Sequence, residues 1–189
     1  MLFRSGPADS AIDELESYDW LVLTSTNGVE RFLARARKRR GSLAVLGSVR
    51  VAAVGTATAE RLRSADIEPD LVPDEFHAES LVESFVEMGA GPGWRILLAR
   101  AAKGRDVIPE QLGERGVEVD VVPVYRTEPV EADRDVLDLL RIGSVDAVTF
   151  TSPSTARHFA AAVERAGMDP SRALSLVTVA SIGPVTTEA

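Results

Sequence analysis

Two hydroxyl-rich strings recur in this sequence, each where the chain leaves a strand and enters a helix. Residues 19–32 read DWLVLTSTNGVERF and residues 146–159 read DAVTFTSPSTARHF, a displacement of 127 residues. VAAVGTATAE at 51–60 matches VASIGPVTTE at 179–188, displaced by 128. The side chains able to do chemistry are Thr24, Ser25 and Thr58 in the first copy, and Ser152 and Thr186 in the second. A first helical turn leaves backbone N–H groups unpaired and partly positive. Hydroxyls beside it, with Gly55 and Gly183 admitting a ligand close to the backbone, make an anion cradle that needs no Lys or Arg. The same residue types are good helix N-caps, and on sequence alone both readings stand. No glycine pattern of the dinucleotide or P-loop kind is present, so a nucleotide is not indicated.

These motifs need strands and helices to position them, and the apolar spacing supplies both. Trp20–Thr24 reads as a strand buried on both faces, followed by a helix with Val29, Phe32, Leu33 and Ala36 on one stripe. Arg50–Val54 predicts the next strand, 57–64 a helix, and 70–72 a short strand. Leu81, Val82, Phe85 and Val86 mark a helix, Arg95–Ala99 a strand, and Val107, Ile108 and Leu112 another helix. This alternation predicts a parallel sheet covered by helices on both faces. The stretch 117–127 is long for a central strand and contains Pro123. It reads as a strand that ends one sheet and continues as a connector, with the domain boundary near residue 127. Beyond it a helix at 134–141, a strand at 146–150, a helix carrying Ala156, Phe159, Ala160 and Val163, and a strand at 176–182 resume the rhythm. Residues 1–5 begin no recognisable element, and 186–189 start a helix that stops after one turn.

Composition narrows the function classes. In 189 residues, 45% hydrophobic and 26% charged, there is no cysteine, so disulfides and thiolate metal sites are excluded. No apolar run reaches a membrane span and no secretory signal opens the chain, which predicts a cytoplasmic protein without a membrane partner. A formal net charge of −8 argues against nucleic acid. His77 and His158 have no second ligand at metal spacing. No metal or cofactor is expected.

The strings DWLVLTSTNGVERF, VAAVGTATAERL with the later DLVP, ILLARAAKGRDVIPEQLGERGVEVDVVPVYRT, DAVTFTSPSTARHF and ASIGPVTTEA resemble, in order and spacing, the uroporphyrinogen-III synthase family over residues 18–189. The resemblance implies an α/β protein of two flavodoxin-like parallel-sheet domains joined by a β connector, with the active site in the cleft between them. Residues 1–17 would be a truncated lead-in, 18–120 the inserted domain, 121–128 a connector strand and 129–189 a partial second domain. The family's opening and closing elements would then be missing. The connector strand would lack its antiparallel partner, leaving an edge prone to aggregation, and the 189 residues alone would not turn over.

The implied reaction is cofactor-free: the linear tetrapyrrole hydroxymethylbilane closes to uroporphyrinogen III with ring D inverted and water lost. A monomer with a small-molecule substrate is the expectation. By the resemblance Tyr125, in VPVYRT, is the proton donor or positions a water that donates; a tyrosine packing the connector is the alternative. Thr24, Ser25, Thr58, Ser152 and Thr186 would hold carboxylates and pyrroles. Arg100 and Arg105 would clamp acetate or propionate groups, or pair with Asp106 or Glu110. Val185 stands where many relatives carry a second Thr. The rival reading is a non-catalytic ligand-binding or regulatory module on the same duplicated fold.

Overall fold

The computed structural model describes residues 6–126, 128 and 131–188. The ends of the chain, Thr127 within the expected connector strand, and residues 129–130 lie outside these. Two compact units are present, 1–127 and 128–189. The first runs α1 (Pro7–Asp13), a 3-10 turn (Leu15–Ser17), β1 (Trp20–Leu23), α2 (Thr26–Arg40), a second 3-10 turn (Ala44–Ser48), β2 (Arg50–Ala53), α3 (Thr56–Arg63), α4 (Ala78–Glu87), β3 (Arg95–Ala101), α5 (Val107–Gly113) and β4 (Glu118–Tyr125). The second runs α6 (Arg134–Arg141), β5 (Ala147–Phe150), α7 (Pro153–Arg165), α8 (Pro170–Ala173), β6 (Thr178–Ser181) and α9 (Pro184–Thr187).

In the first unit four parallel strands lie in the order β2-β1-β3-β4. Alternation along each strand sends Leu21, Leu23, Val51, Ala53, Leu97 and Ala99 to one face, against α1 and α2. Trp20, Val22, Ala52, Ile96 and Leu98 go to the other, against Leu81, Val82 and Phe85 of α4 and Ile108 and Leu112 of α5. The expected strand at 70–72 is reduced to one bridge, Ala52 to Leu71. Pro69 and Pro73 flank it and cannot donate to a longer ladder. The residues from Val121 to Tyr125, expected to run on as a connector, belong to β4 and stay paired with β3.

Residues 7–17, read from sequence as a lead-in, are folded into this unit. Pro7 occupies a first-turn position of α1, where its missing N–H costs nothing. Ala8, Ala11, Ile12 and Leu15 are buried in the α2 face of the core. Ion pairs tie the other side to α2: Asp9 to Arg35 at 2.6 Å, Asp13 to Arg39, and Glu16 to Arg40 at 3.2 Å. The hydrogen bond from Arg35 holds the Asp9 carboxyl below its ordinary 3.8, and Arg39 acts likewise on Asp13. A carboxyl depressed in the folded state adds stability above its unfolded pKa, and that stability is lost as pH falls through the folded value. Arg35→Gln should therefore flatten the fall of the urea midpoint on acidification below about pH 4. An unchanged acid slope would mean that the Asp9 pair adds nothing.

In the second unit β5 and β6 form a two-stranded parallel sheet. Val179, Ile182 and Val185 are exposed there, and Leu176 is 96% exposed. The sheet reproduces β1–β2 residue for residue. Trp20 pairs with Arg50 and Ala147 with Thr178, and each partner is offset by the displacement seen in sequence. The flanking bonds repeat too: Val54 N to Leu23 O at 3.2 Å and Ile182 N to Phe150 O at 3.0 Å.

Candidate functional site

The strand order reverses between β1 and β3, because β1 leads outward to β2 and the chain then returns to β3. Outside the carboxyl ends of strands at such a point the flanking connections diverge and leave room for a ligand. Thr24 and Ser25 follow β1 directly and are half-buried. Ser25 caps α2, its Oγ accepting the Gly28 N–H at 3.1 Å. Gly28 was not singled out in sequence, yet a Cβ there would lie 3.1 Å from Ser25 Oγ and 3.6 Å from Ala99 O. Its value is the close approach of α2 to β3, visible in sequence only as the Gly of STNG.

Tyr125 reaches this point from β4. Arg100 pairs with Pro123 but Ala101 with Tyr125, so the register slips by one residue at the end of the ladder. Ala102 N closes the slip by donating to Tyr125 O at 2.8 Å. The Tyr125 hydroxyl lies 3.0 Å from Ser25 Oγ. This pair holds two O–H hydrogens, and one of them makes the mutual bond. With the Gly28 amide already donating to Ser25, the other hydrogen is left over as a donor on Ser25 or Tyr125.

Beside them Gly55 caps α3 at the end of β2, and Thr58 in the first turn is 5% exposed. Among the described residues, the amides of Thr26 and Asn27 in α2 and of Thr56, Ala57 and Thr58 in α3 have no backbone partner. The edge thus offers backbone donors from two helix starts and the spare hydroxyl hydrogen.

The arginines behave differently. Arg100 ends near this edge, but its guanidinium donates to the Arg105 carbonyl at 2.6 Å and pairs with Asp106. Its Nε is buried without a partner. Arg105 grips Glu79 of α4 through two bonds, at 2.5 and 3.3 Å, and holds that carboxyl below the ordinary range. Of the two roles open from sequence, the ion pair with Asp106 is the contact Arg100 makes here. His77 caps α4, its Nδ1 accepting the Ser80 N–H at 3.1 Å.

In the second unit Ser152 caps α7 with φ/ψ of −160° and 155°, against −160° and 156° at Ser25. Its Oγ accepts the Thr155 N–H at 3.2 Å. It also lies 2.6 Å from Thr155 Oγ1 and 3.0 Å from Ser154 Oγ. Thr155 stands where the first copy has Gly28, so the Ser152 hydroxyl is engaged locally whereas Ser25 is engaged by Tyr125. Thr186, three residues after Gly183, is 7% exposed, as Thr58 is three after Gly55.

Comparison with known proteins agrees with this architecture. A family model described as uroporphyrinogen-III synthase HemD matches residues 4–189. The chain is 37% identical over 183 residues to the uroporphyrinogen-III synthase of Synechococcus elongatus, covering 95% of this chain and 68% of that protein. It is 31% identical over 174 residues to a putative uroporphyrinogen-III synthase of Methanothermobacter thermautotrophicus, with 90% and 68% covered. A crystal structure of a mutant uroporphyrinogen III synthase from the extreme thermophile Thermus thermophilus superposes with a TM-score of 0.59 at 21% identity, over 98% of this chain and 74% of that one. A second structure of the Thermus thermophilus enzyme gives 0.54 at 22% identity, with 98% and 74% covered.

Proposed function

The chain belongs to the uroporphyrinogen-III synthase family, and from that premise we propose that it closes hydroxymethylbilane to uroporphyrinogen III at the carboxyl edge just described. The observation that carries this reading is the 3.0 Å bond between Ser25 and Tyr125. Loss of the substrate's hydroxyl needs a proton, because hydroxide is a poor leaving group and water a good one. The spare hydrogen of the pair supplies it, by general acid catalysis worth about 100-fold or more. The C–O bond breaks, water leaves with the donated proton, and an azafulvenium-like cation remains. Ring closure with inversion of ring D then releases a proton from the closing carbon, which returns to the pair.

The substrate's acetate and propionate groups are anions, and the protein carries a net charge of −8. Local donors overcome that field: the free amides of α2 and α3, with Thr24 and Thr58, hold carboxylates without a cation. Ser152 and Thr186 serve the same purpose in the second unit. Arg100 and Arg105 come into play only if their bonds to Asp106 and Glu79 open. The strand order of the first unit and the repeated register of the second support two flavodoxin-like domains, the first extended beyond the expected 18–120 by α1 and by β4 through Tyr125. The protein acts as a cytoplasmic monomer, without a metal or redox cofactor. Among the described residues no helix is long and apolar enough to cross a membrane.

The test supplies freshly made hydroxymethylbilane to the protein as its gene encodes it, oxidises the product and separates porphyrin isomers by chromatography. Type III above the spontaneous type I background is the expected result. Type I alone from a folded protein would remove the catalytic reading.

A further inference from the structure

Within the first unit Phe32 and Phe85 are fully buried, yet Phe76 is 59% exposed. Its display is held by two bonds that bracket it. The His77 amide donates to the Glu75 carbonyl at 2.9 Å, an i to i+2 bond that closes a three-residue turn with Phe76 at its centre. The flanking side chains join as well, His77 Nε2 to Glu75 Oε2 at 2.7 Å. His77 in turn caps α4, whose Glu79 is gripped by Arg105. Gly55 lies against the base of this side chain. A Cβ there would sit 3.3 Å from Phe76 Cβ and 3.7 Å from its Cγ. Gly55 has φ −154°, extended backbone open to any residue, so room for Phe76 is what a side chain would take away. Gly55 also caps α3, the helix whose first-turn amides have no backbone partner. Packing on a glycine does not account for a ring that stays mostly in water.

We infer that Phe76 is a substrate-contact residue, its ring forming an apolar face for one pyrrole ring of the linear tetrapyrrole while the α3 amides hold that ring's carboxylates. This rests on the reaction proposed above and assigns it a specificity determinant. Aromatic rings gain from offset or edge-to-face contact beyond the area they bury. A substrate of carboxylate-bearing pyrroles needs both kinds of contact side by side, and the two meet at Gly55.

The experiment compares the natural protein with Phe76→Ala and Phe76→Tyr in two measurements. One is steady-state type III formation, resolved into KM and kcat. The other is fluorescence titration with uroporphyrin III, a stable octacarboxylate that needs no turnover. Phe76→Ala should raise KM about tenfold and weaken the titration by a similar factor, with kcat within about twofold. Phe76→Tyr should restore both, and thermal unfolding should not move in either variant. Normal turnover with KM unchanged in Phe76→Ala would overturn the contact and leave the reaction standing. Phe76-dependent titration without turnover would overturn the reaction and keep the contact. Neither turnover nor titration by the natural protein would overturn both.

Discussion

Tyr125→Phe should lower kcat for type III formation about 100-fold, with KM changed by less than about threefold. The substitution removes one oxygen and keeps the ring, so β4 and its register slip have no reason to move. Ser25 keeps the Gly28 amide as its capping partner, and one part-buried hydrogen bond is worth about 0.5–1.5 kcal/mol. Stability should therefore fall little, while the phenol is lost and only the Ser25 hydroxyl remains, an alkyl alcohol far too weak an acid to take over as proton donor. Spontaneous closure to type I would then dominate the product. A kcat within about twofold of the natural protein would move proton donation elsewhere and leave Tyr125 as packing.

Phe85→Ala carries the largest expected cost in stability, about 3–5 kcal/mol. Phe85 is fully buried, with ring centroids 5.1 Å from Trp20 and 6.4 Å from Trp94, both edge to face. Truncation would leave a cavity bounded by two rigid indoles that cannot collapse into it, and would break both aromatic contacts. Trp20 and Trp94 are the chain's two tryptophans, so intrinsic fluorescence reports unfolding of the first unit alone. That matters because a chain with two units need not unfold in one step. A loss below about 1 kcal/mol by urea titration would show that this face of the sheet repacks freely.

What the sequence revealed depended on whether a signal was local or repeated. The displacements of 127 and 128 residues marked the two segments as duplicates, and the β5–β6 register accordingly copies that of β1–β2. Helix α1 was legible but passed over: Pro7 at its start, with Ala8, Ala11, Ile12 and Leu15 at helical spacing, is the signature of a short amphipathic helix. The 70–72 strand was over-read, since its apolar residues outweighed the prolines on either side. Ser25 and Tyr125 were each legible as candidates, but they lie 100 residues apart and meet only through a register slip between β3 and β4. Arg100 illustrates the same limit. A guanidinium that can reach either a substrate or Asp106 takes its partner from the loop 102–106, whose path no spacing rule encodes. Phe76 escaped notice because exposed aromatics are common in sequence terms; only its bracketed turn and the glycine against its base mark it out.

In the proposed reaction Ser25 and Tyr125 act as one proton-donating unit at the edge of the first sheet. A double-mutant cycle on type III formation tests it most directly, using Ser25→Ala, Tyr125→Phe and the two combined. If the pair works as a unit, the combined variant should be no slower than Tyr125→Phe alone, because the second change removes a partner whose function has already gone. Losses that multiply would contradict the account, showing two residues that act independently on the substrate.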